Sequence, residues 1–447
     1  MIKILNEEDG YVLPFLLFVS ALIISLLFGI ISVLFFYNSY NVRSINKKKL
    51  DLACSSAVQK FLTNEDDLKG EDIIYDIDSI KVLLQKKQRG LFWELTSTAK
   101  NSKDSSMVKS LIASTTTTLF DNALIVSKPN FKAAVTGNTK ISGNMLATDN
   151  KIALSRINGI PSVQNDYLNG KVITQKNIDT KLFSESFIYR MFNSNEPLGK
   201  KTEFENFILS ELNLNVADSL GTIYLSGDLV IKGNLLVKSS LKPLIFFAAG
   251  KTIIKDSTNS NAVLTIISDS TIVINNFVNL ENVTLSAKGK ISAGINSNFK
   301  NTQLFSQKGI EINSSAFNYP SVLLLYVDTR NTKNLNNLID IKSSIINGSV
   351  MLISLTTGLT SNKSKIKLDS GSKLQGLLYS ENNVELAGEI SGILYTYGFW
   401  YYKDPTEYID WLVNIRVNRY KLDKLFLLPV GFKNTASLEI LKESWIY

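Results

Sequence analysis

Phe247-Ala-Ala-Gly-Lys-Thr-Ile253, Ile266-Ile-Ser-Asp-Ser-Thr-Ile272, Leu285-Ser-Ala-Lys-Gly-Lys-Ile291 and Leu304-Phe-Ser-Gln-Lys-Gly-Ile310 are copies of one template, set 19 residues apart. Apolar, small and apolar positions recurring at a fixed period mean one coil per repeat. No coil can bury its inward face alone, so neighbours stack and share a continuous core. Ile, Leu and Val alternate with outward Lys, Asp and Asn, and Gly and Ser break the strands. That pattern predicts a parallel β-helix.

The template extends in both directions. Leu229, Ile231, Leu235 and Val237 form an earlier copy, and Leu378-Tyr379-Ser380 with Val384 and Leu386 a later one. The same texture begins at Val135-Thr-Gly-Asn-Thr-Lys-Ile141-Ser-Gly143-Asn144, so the solenoid is expected over 131–400. Between Lys181 and Leu212 the spacing of Phe183, Phe187, Ile188 and Met191, and then of Phe204, Phe207, Ile208 and Leu212, turns helical. This predicts an inserted helical pair over about 181–216.

After the last copy comes Tyr395-Thr-Tyr397-Gly-Phe399-Trp400-Tyr401-Tyr402, followed by Asp404-Pro405-Thr406-Glu407. Asp404 as N-cap, Pro405 at the first helical position and Glu407 at the third predict a helix start. Residues 401–447 thus read as a helical and strand cap, because a solenoid must hide its open end. The sharper reading makes Trp400, Tyr401 and Tyr402 a binding platform for sugar rings or bases.

Toward the N-terminus, Gly10 to Val42 is 33 residues without a charge. Its apolar part, Val12 to Tyr37, would span about 39 Å as a helix, more than the ~30 Å hydrocarbon core. Helical periodicity continues through Ile45, Leu50, Leu52, Ala53, Ala57, Val58, Phe61 and Leu62 to Glu65-Asp66-Asp67. One transmembrane and stalk helix is therefore expected over 11–64. Between 65 and 130, Ser79–Leu84, Gly90–Ala99 and Met107–Ile112 read as an antiparallel β meander.

The polar leader ending in Gly10, then Tyr11-Val12-Leu13-Pro14 and Phe18-Val19-Ser20-Ala21-Leu22, resembles the start of a type IV pilin-like protein, in particular the ComGG-type competence pseudopilins. The resemblance implies a leader over 1–10, cut by prepilin peptidase between Gly10 and Tyr11, with Pro14 and Phe15 at the start of the membrane helix. Phe15 stands where most subunits of that family carry Glu, and the same absence marks minor pseudopilins placed at fibre tips. The leader carries Lys3 against Glu7, Glu8 and Asp9, and Arg43, Lys47, Lys48 and Lys49 follow the helix. The positive-inside rule alone favours keeping that side in the cytoplasm, but long domains are translocated largely regardless of charge. The body is expected outside.

The remaining composition narrows the chemistry. Net charge is +8 and spread along the chain, which suits anionic wall polymers or DNA without forming a dense patch. Cys54 is the single cysteine, so no intrachain disulfide can form. Histidine is absent, which removes imidazole bases, His triads and His metal sites. The position after the small residue reads Gly250, Asp269, Lys288, Gln307 and Glu381, so no acid recurs on adjacent coils. Asp256, Asp269 and Glu281 could still meet from turns.

These readings combine into a mainly β, membrane-anchored surface protein that is not an enzyme. It is expected to act as a minor or tip subunit of a type IV pilus or pseudopilus, or as an adhesin exported by that route. Expected partners are the membrane, other pilin-like subunits, prepilin peptidase, and cell-wall glycan, polysaccharide or DNA. No cofactor, metal or small-molecule substrate is expected. The alternatives are a carbohydrate-active β-helix, either polysaccharide lyase or glycosidase, and a signal-anchored self-assembling solenoid comparable to bactofilin-like polymers.

Overall fold

The computed structural model describes residues 12–64, 72–163, 166–192, 202–214, 220–236, 243–328, 336–355, 363–433 and 437–441. Two compact units emerge, residues 1–87 with 94–110 and 443–447, and residues 88–93 with 111–442. The protein is mainly β, with one long apolar helix, an antiparallel sheet and a large parallel solenoid.

In the first unit α1 (Val12–Thr63) is one continuous helix of 52 residues. Pro14 is tolerated because it lies in the first turn, where its missing N–H has no intrahelical partner. From Leu13 to Val42 the large apolar side chains are exposed all round the helix, and mean hydropathy reaches 2.8. Past Arg43 the helix becomes amphipathic. Leu50, Ala53, Cys54, Ala57, Val58 and Phe61 recur at spacings of three and four, and all are buried.

That stripe faces an antiparallel sheet of β1 (Asp72–Ile77), β2 (Ile80–Arg89), β3 (Phe92–Lys100) and β4 (Ser105–Ser114), in that spatial order. The inward residues are Tyr75, Val82, Leu84, Leu95, Ala99 and Val108. Ser97 Oγ donates to the Cys54 carbonyl at 3.0 Å, and the Cys54 thiol points at the Ser106 carbonyl at 3.7 Å. Burial pushes the Cys54 thiol up, so it stays a small packing group rather than a nucleophile. The expected three-stranded meander gains two strands, β1 at one edge and Leu438–Ile440 antiparallel to the end of β4 at the other. The turn from β1 to β2 is the dipeptide Asp78-Ser79 with φ of 48° and 64°, a mirror-image turn that matches strand twist.

The second unit is the solenoid, with three parallel faces. Leu244–Ala248, Leu264–Ser268 and Val283–Ala287 stack on the first face. Thr252–Ile254, Ile272–Ile274 and Lys290–Ala293 stack on the second, and Asn259–Ser260, Asn279–Glu281 and Asn298–Lys300 on the third. Ile272, Ile291, Ile310 and Ile339 form one fully buried interior column. The first copy is shifted by one residue from the expected register. Phe246 stands under Ile266 and Thr252 under Ile272, so Phe247 and Ile253 point outward. The coil there is 20 residues long, and a slip of one residue exchanges the faces of a strand.

The order of coils along the stack does not follow the sequence. Coils wind upward from Thr202–Phe204 to a last coil that runs from Leu394 on the first face to Arg416–Asn418 on the third, where it stacks on Glu389–Ile390 of the rung below. On top of that coil sits not later chain but earlier chain. Leu124–Val126 pairs in parallel with Leu394–Thr396, Ala134–Thr136 with Trp411–Val413, and Lys140–Ser142 with Arg416–Asn418. Met145–Ala147 and then Val172–Thr174 complete the upper end. The chain thus enters the solenoid part-way up, winds to the top, returns to the bottom and climbs to a seam below its own entry point. At that seam Arg419 Nε donates to the Phe120 carbonyl at 3.0 Å, with a guanidinium nitrogen 3.8 Å from Asp121.

The returning segment crosses the outside of the first face. Tyr395 donates to the Asp179 carbonyl, Leu182 N–H donates to Tyr379 Oη at 2.9 Å, and Ser286 Oγ donates to the Met191 carbonyl at 3.0 Å. With residues 422–432 it covers Phe305, Leu324, Met351, Leu377, Tyr379 and Ile393, which forms a second core outside the solenoid.

Three expectations are corrected. Of the inserted helical pair over about 181–216, the described residues hold α2 (Glu185–Phe192) and a 3-10 turn at Glu211–Asn213 that runs into helical Leu214, so no helix carries Phe204, Phe207 and Ile208. Thr202–Phe204 and Phe207–Leu209 are strands that found the bottom coil, because alternation puts Leu209 inside and pairing with Thr222–Leu225 and Leu229–Ile231 satisfies their backbone. Asp404-Pro405 does not start a helix. Thr406–Ile409 folds back antiparallel on Trp400–Lys403, where the three consecutive aromatics Trp400, Tyr401 and Tyr402 outweigh the capping signal. This aromatic segment also stands on the flank of its coil, since the coil's upper side is taken by residues 124–142. The solenoid boundary moves from 131–400 to begin at Leu124 and end at Asn418. The earlier copy's Val237 lies outside the described residues.

Candidate functional site

The processing residues Gly10 and Tyr11 lie outside the described residues. Pro14 and Phe15 open the apolar surface of α1, with Phe15 68% exposed. At the other end of that surface Arg43 Nε is 2.9 Å from Asp104, tying the helix to the turn between β3 and β4.

The aromatic hairpin is the second place where sequence points to function. Strand alternation divides its rings between two faces. Trp400 and Tyr402 lie on one, nearly parallel with centroids 6.0 Å apart. Tyr401 lies on the other, 6.1 Å from Tyr408, which in turn meets Trp411 edge-on at 5.2 Å. The three candidate rings therefore do not form one platform. Lys365 Nζ sits 3.1 Å from the Trp400 ring centroid, so one face of the indole is occupied by a cation. Lys365 also pairs with Glu385 at 2.8 Å, and burial pulls its ammonium down against that carboxylate. Tyr402 and Ile409 remain as the open apolar groups, 45% and 55% exposed.

Along the second face the outward carboxylates are clasped by lysines. Glu311 is 2.5 Å from Lys290 and 3.6 Å from Lys342, Asp340 is 2.9 Å from Lys342, and Glu385 also meets Lys367 at 3.3 Å. The Lys290 contact holds Glu311 below the usual carboxylate range. Asp256, Asp269 and Glu281 are not brought together. Asp256 accepts from Asn276 N–H at 3.0 Å, Asp269 pairs with Lys288 at 2.8 Å, and Glu281 with Lys300 at 3.0 Å. Among the described residues no group of three metal-ligating acids or cysteines occurs.

One group escaped sequence reasoning. Glu381, which the repeat register placed directly after the small residue of its coil, is 1% exposed. Its Oε1 accepts from Tyr379 at 2.8 Å and its Oε2 from Ser354 N–H at 3.0 Å. Burial pushes its pKa to about 7, opposed by those two donors and by Lys181, while Glu185 adds to the rise. The segment that buries it, 179–192, comes from a region whose docking no local pattern announces. No known family, curated protein or solved structure matches the chain.

Proposed function

We propose that this protein is a membrane-anchored, pilin-like surface subunit, a minor or tip member of a pilus or pseudopilus or an adhesin exported by the same route, with its β-helix body outside the membrane. The observation that carries the reading is that α1 is one unbroken helix with two surfaces. Its first half is apolar all round and exposed, which suits lipid, and its second half buries a stripe on an antiparallel sheet. A helix that is at once anchor and spine of a small head is the arrangement that the leader-like Gly10 and the Pro14-Phe15 sequence imply by resemblance.

A binding role for the body is supported by the state of its acids. On the second face each named carboxylate is held by a lysine, which favours a solvated scaffold over a catalytic pair. Tyr402 and Ile409 offer the hairpin's open apolar surface to wall glycan, polysaccharide or DNA.

Mass spectrometry of the mature chain tests the export route, with an N-terminus at Tyr11, methylated, as the expected result. Protease added to intact spheroplasts should digest the body. Intact Met1-containing chain in cells with active prepilin peptidase, or protection of residues 70–447, would overturn the reading.

A further inference from the structure

At the corner between the third and first faces, the outward residues of successive coils form a column that includes Asn347, Gln375, Ser391, Asn418, Ser142 and Asn169. This column is amide-rich and uncharged, unlike the ion-paired second face. Beside it runs a column of glycines, Gly348, Gly376 and Gly392. Gly376 has φ of 140°, and a Cβ there would overlap the Gly348 carbonyl and meet the Phe426 ring. The corner is thereby flattened, and the segment 422–427 lies across it, fixed by Leu427 N–H donating to Tyr319 Oη at 3.0 Å.

Between column and segment is a cavity of about 180 Å³ lined by Tyr319, Asn347, Gln375, Asp423, Leu425 and Phe426. Its size is below the ~300–1,000 Å³ of sites that enclose drug-sized ligands. The two carboxamides stand on adjacent rungs, about 4.8 Å apart. Among the described residues neither has a hydrogen-bond partner, although Asn347 is half-buried. Of the other column members Asn418 is engaged, its Oδ1 accepting from Tyr420 N–H at 3.1 Å. On an adjoining coil Asn318 donates to Asn298 at 3.2 Å. The cavity is thus met by two carboxamides whose donors and acceptors are unused.

We infer that this cavity binds one pyranose unit of a neutral or N-acetylated saccharide. Two carboxamides and a carboxylate supply the mixture of donors and acceptors that vicinal hydroxyls need, since an amide offers both and a carboxylate accepts two. Tyr319, Phe426 and Leu425 supply the apolar wall that a sugar ring's C–H face requires. No lining side chain is cationic, so phosphate and sulfate find no counter-charge there. The site lies apart from the aromatic hairpin, and it stands whether or not α1 enters a membrane.

The test is isothermal titration of the full chain with tetrasaccharides of N-acetylglucosamine, glucose, galactose and mannose. The carrier should be a phosphocholine detergent, because glycoside detergents would compete. At least one tetrasaccharide should bind, and the double variant Asn347→Ala/Gln375→Ala should weaken it tenfold or more. Both side chains point outward and are unpaired, so the thermal midpoint should stay unchanged. Tyr402→Ala on the hairpin should leave binding intact. Absence of binding by all four sugars, binding indifferent to the double variant, or binding lost with Tyr402→Ala would overturn the assignment.

Discussion

Ile291 shows how far a single position is determined by the repeat. It lies between Ile272 and Ile310, fully buried, while its neighbour Lys290 reaches outward to Glu311 at 2.5 Å. Ile291→Asp would place an unpaired charge in a core shared by three coils, and it should cost several kcal/mol. Lys290→Ala removes only a half-exposed ion pair, worth about 0–1 kcal/mol. Thermal or denaturant unfolding of both variants measures the difference, and equal midpoints would mean that the column does not carry the core. These residues were legible because 19-residue spacing repeats without interruption from Ile266 to Ile310. One copy earlier the same spacing misled by one residue, since the extra residue in that coil exchanges Phe246 for Phe247. Glu381 was not legible at all. Nothing beside it in sequence indicates that a segment 200 residues earlier covers it.

At the scale of elements, that covering segment is held by polar groups inside an apolar layer. Tyr379 accepts from Leu182 N–H and donates to Glu381, while Lys181 pairs with Glu185 at 2.9 Å and donates to the Leu355 carbonyl. A carboxyl whose folded pKa is raised from 4.5 to about 7 is favoured by the fold in its neutral form. As pH rises from 4.5 toward 7 the unfolded chain releases this proton first, so the group removes stability over that window and by a constant amount above it. Glu381→Gln imitates the neutral acid. Relative to the natural chain, the variant should therefore gain stability between about pH 5 and about pH 8, read from denaturation midpoints at the two values. A gap independent of pH would show that Glu381 is not buried by the segment. Local signals served unevenly among the elements. The long helix was legible from uncharged length, and the hairpin was not, because Asp404-Pro405 carries a capping pattern that cross-strand pairing overrides.

For the whole molecule the decisive fact is that spatial order and chain order differ. Repeat patterns reveal that coils stack but not which coil lies on which, because every coil presents the same kind of apolar edge to either neighbour. The stack closes through pairings such as Leu394 with Leu124 and Val417 with Ile141, residues far apart in sequence. Nearest-neighbour energetics make this order testable by damage at one rung. Ile141 is fully buried, between Val417 below and Leu168 above. Ile141→Asp should unseat the coils 124–174 and expose the upper side of the coil that holds Leu394 and Val417. Hydrogen exchange on the full chain should then lose protection at 124–126, 145–147 and 392–396, while 264–268 and 283–287, several rungs below, keep theirs. A solenoid stacked in chain order would respond differently, since residues 202–209 would be the next coil after 172–174 and would lose protection before 392–396. Loss spreading to 202–209 with 392–396 unaffected would overturn the permuted stack, because each coil can destabilise only the coils it touches.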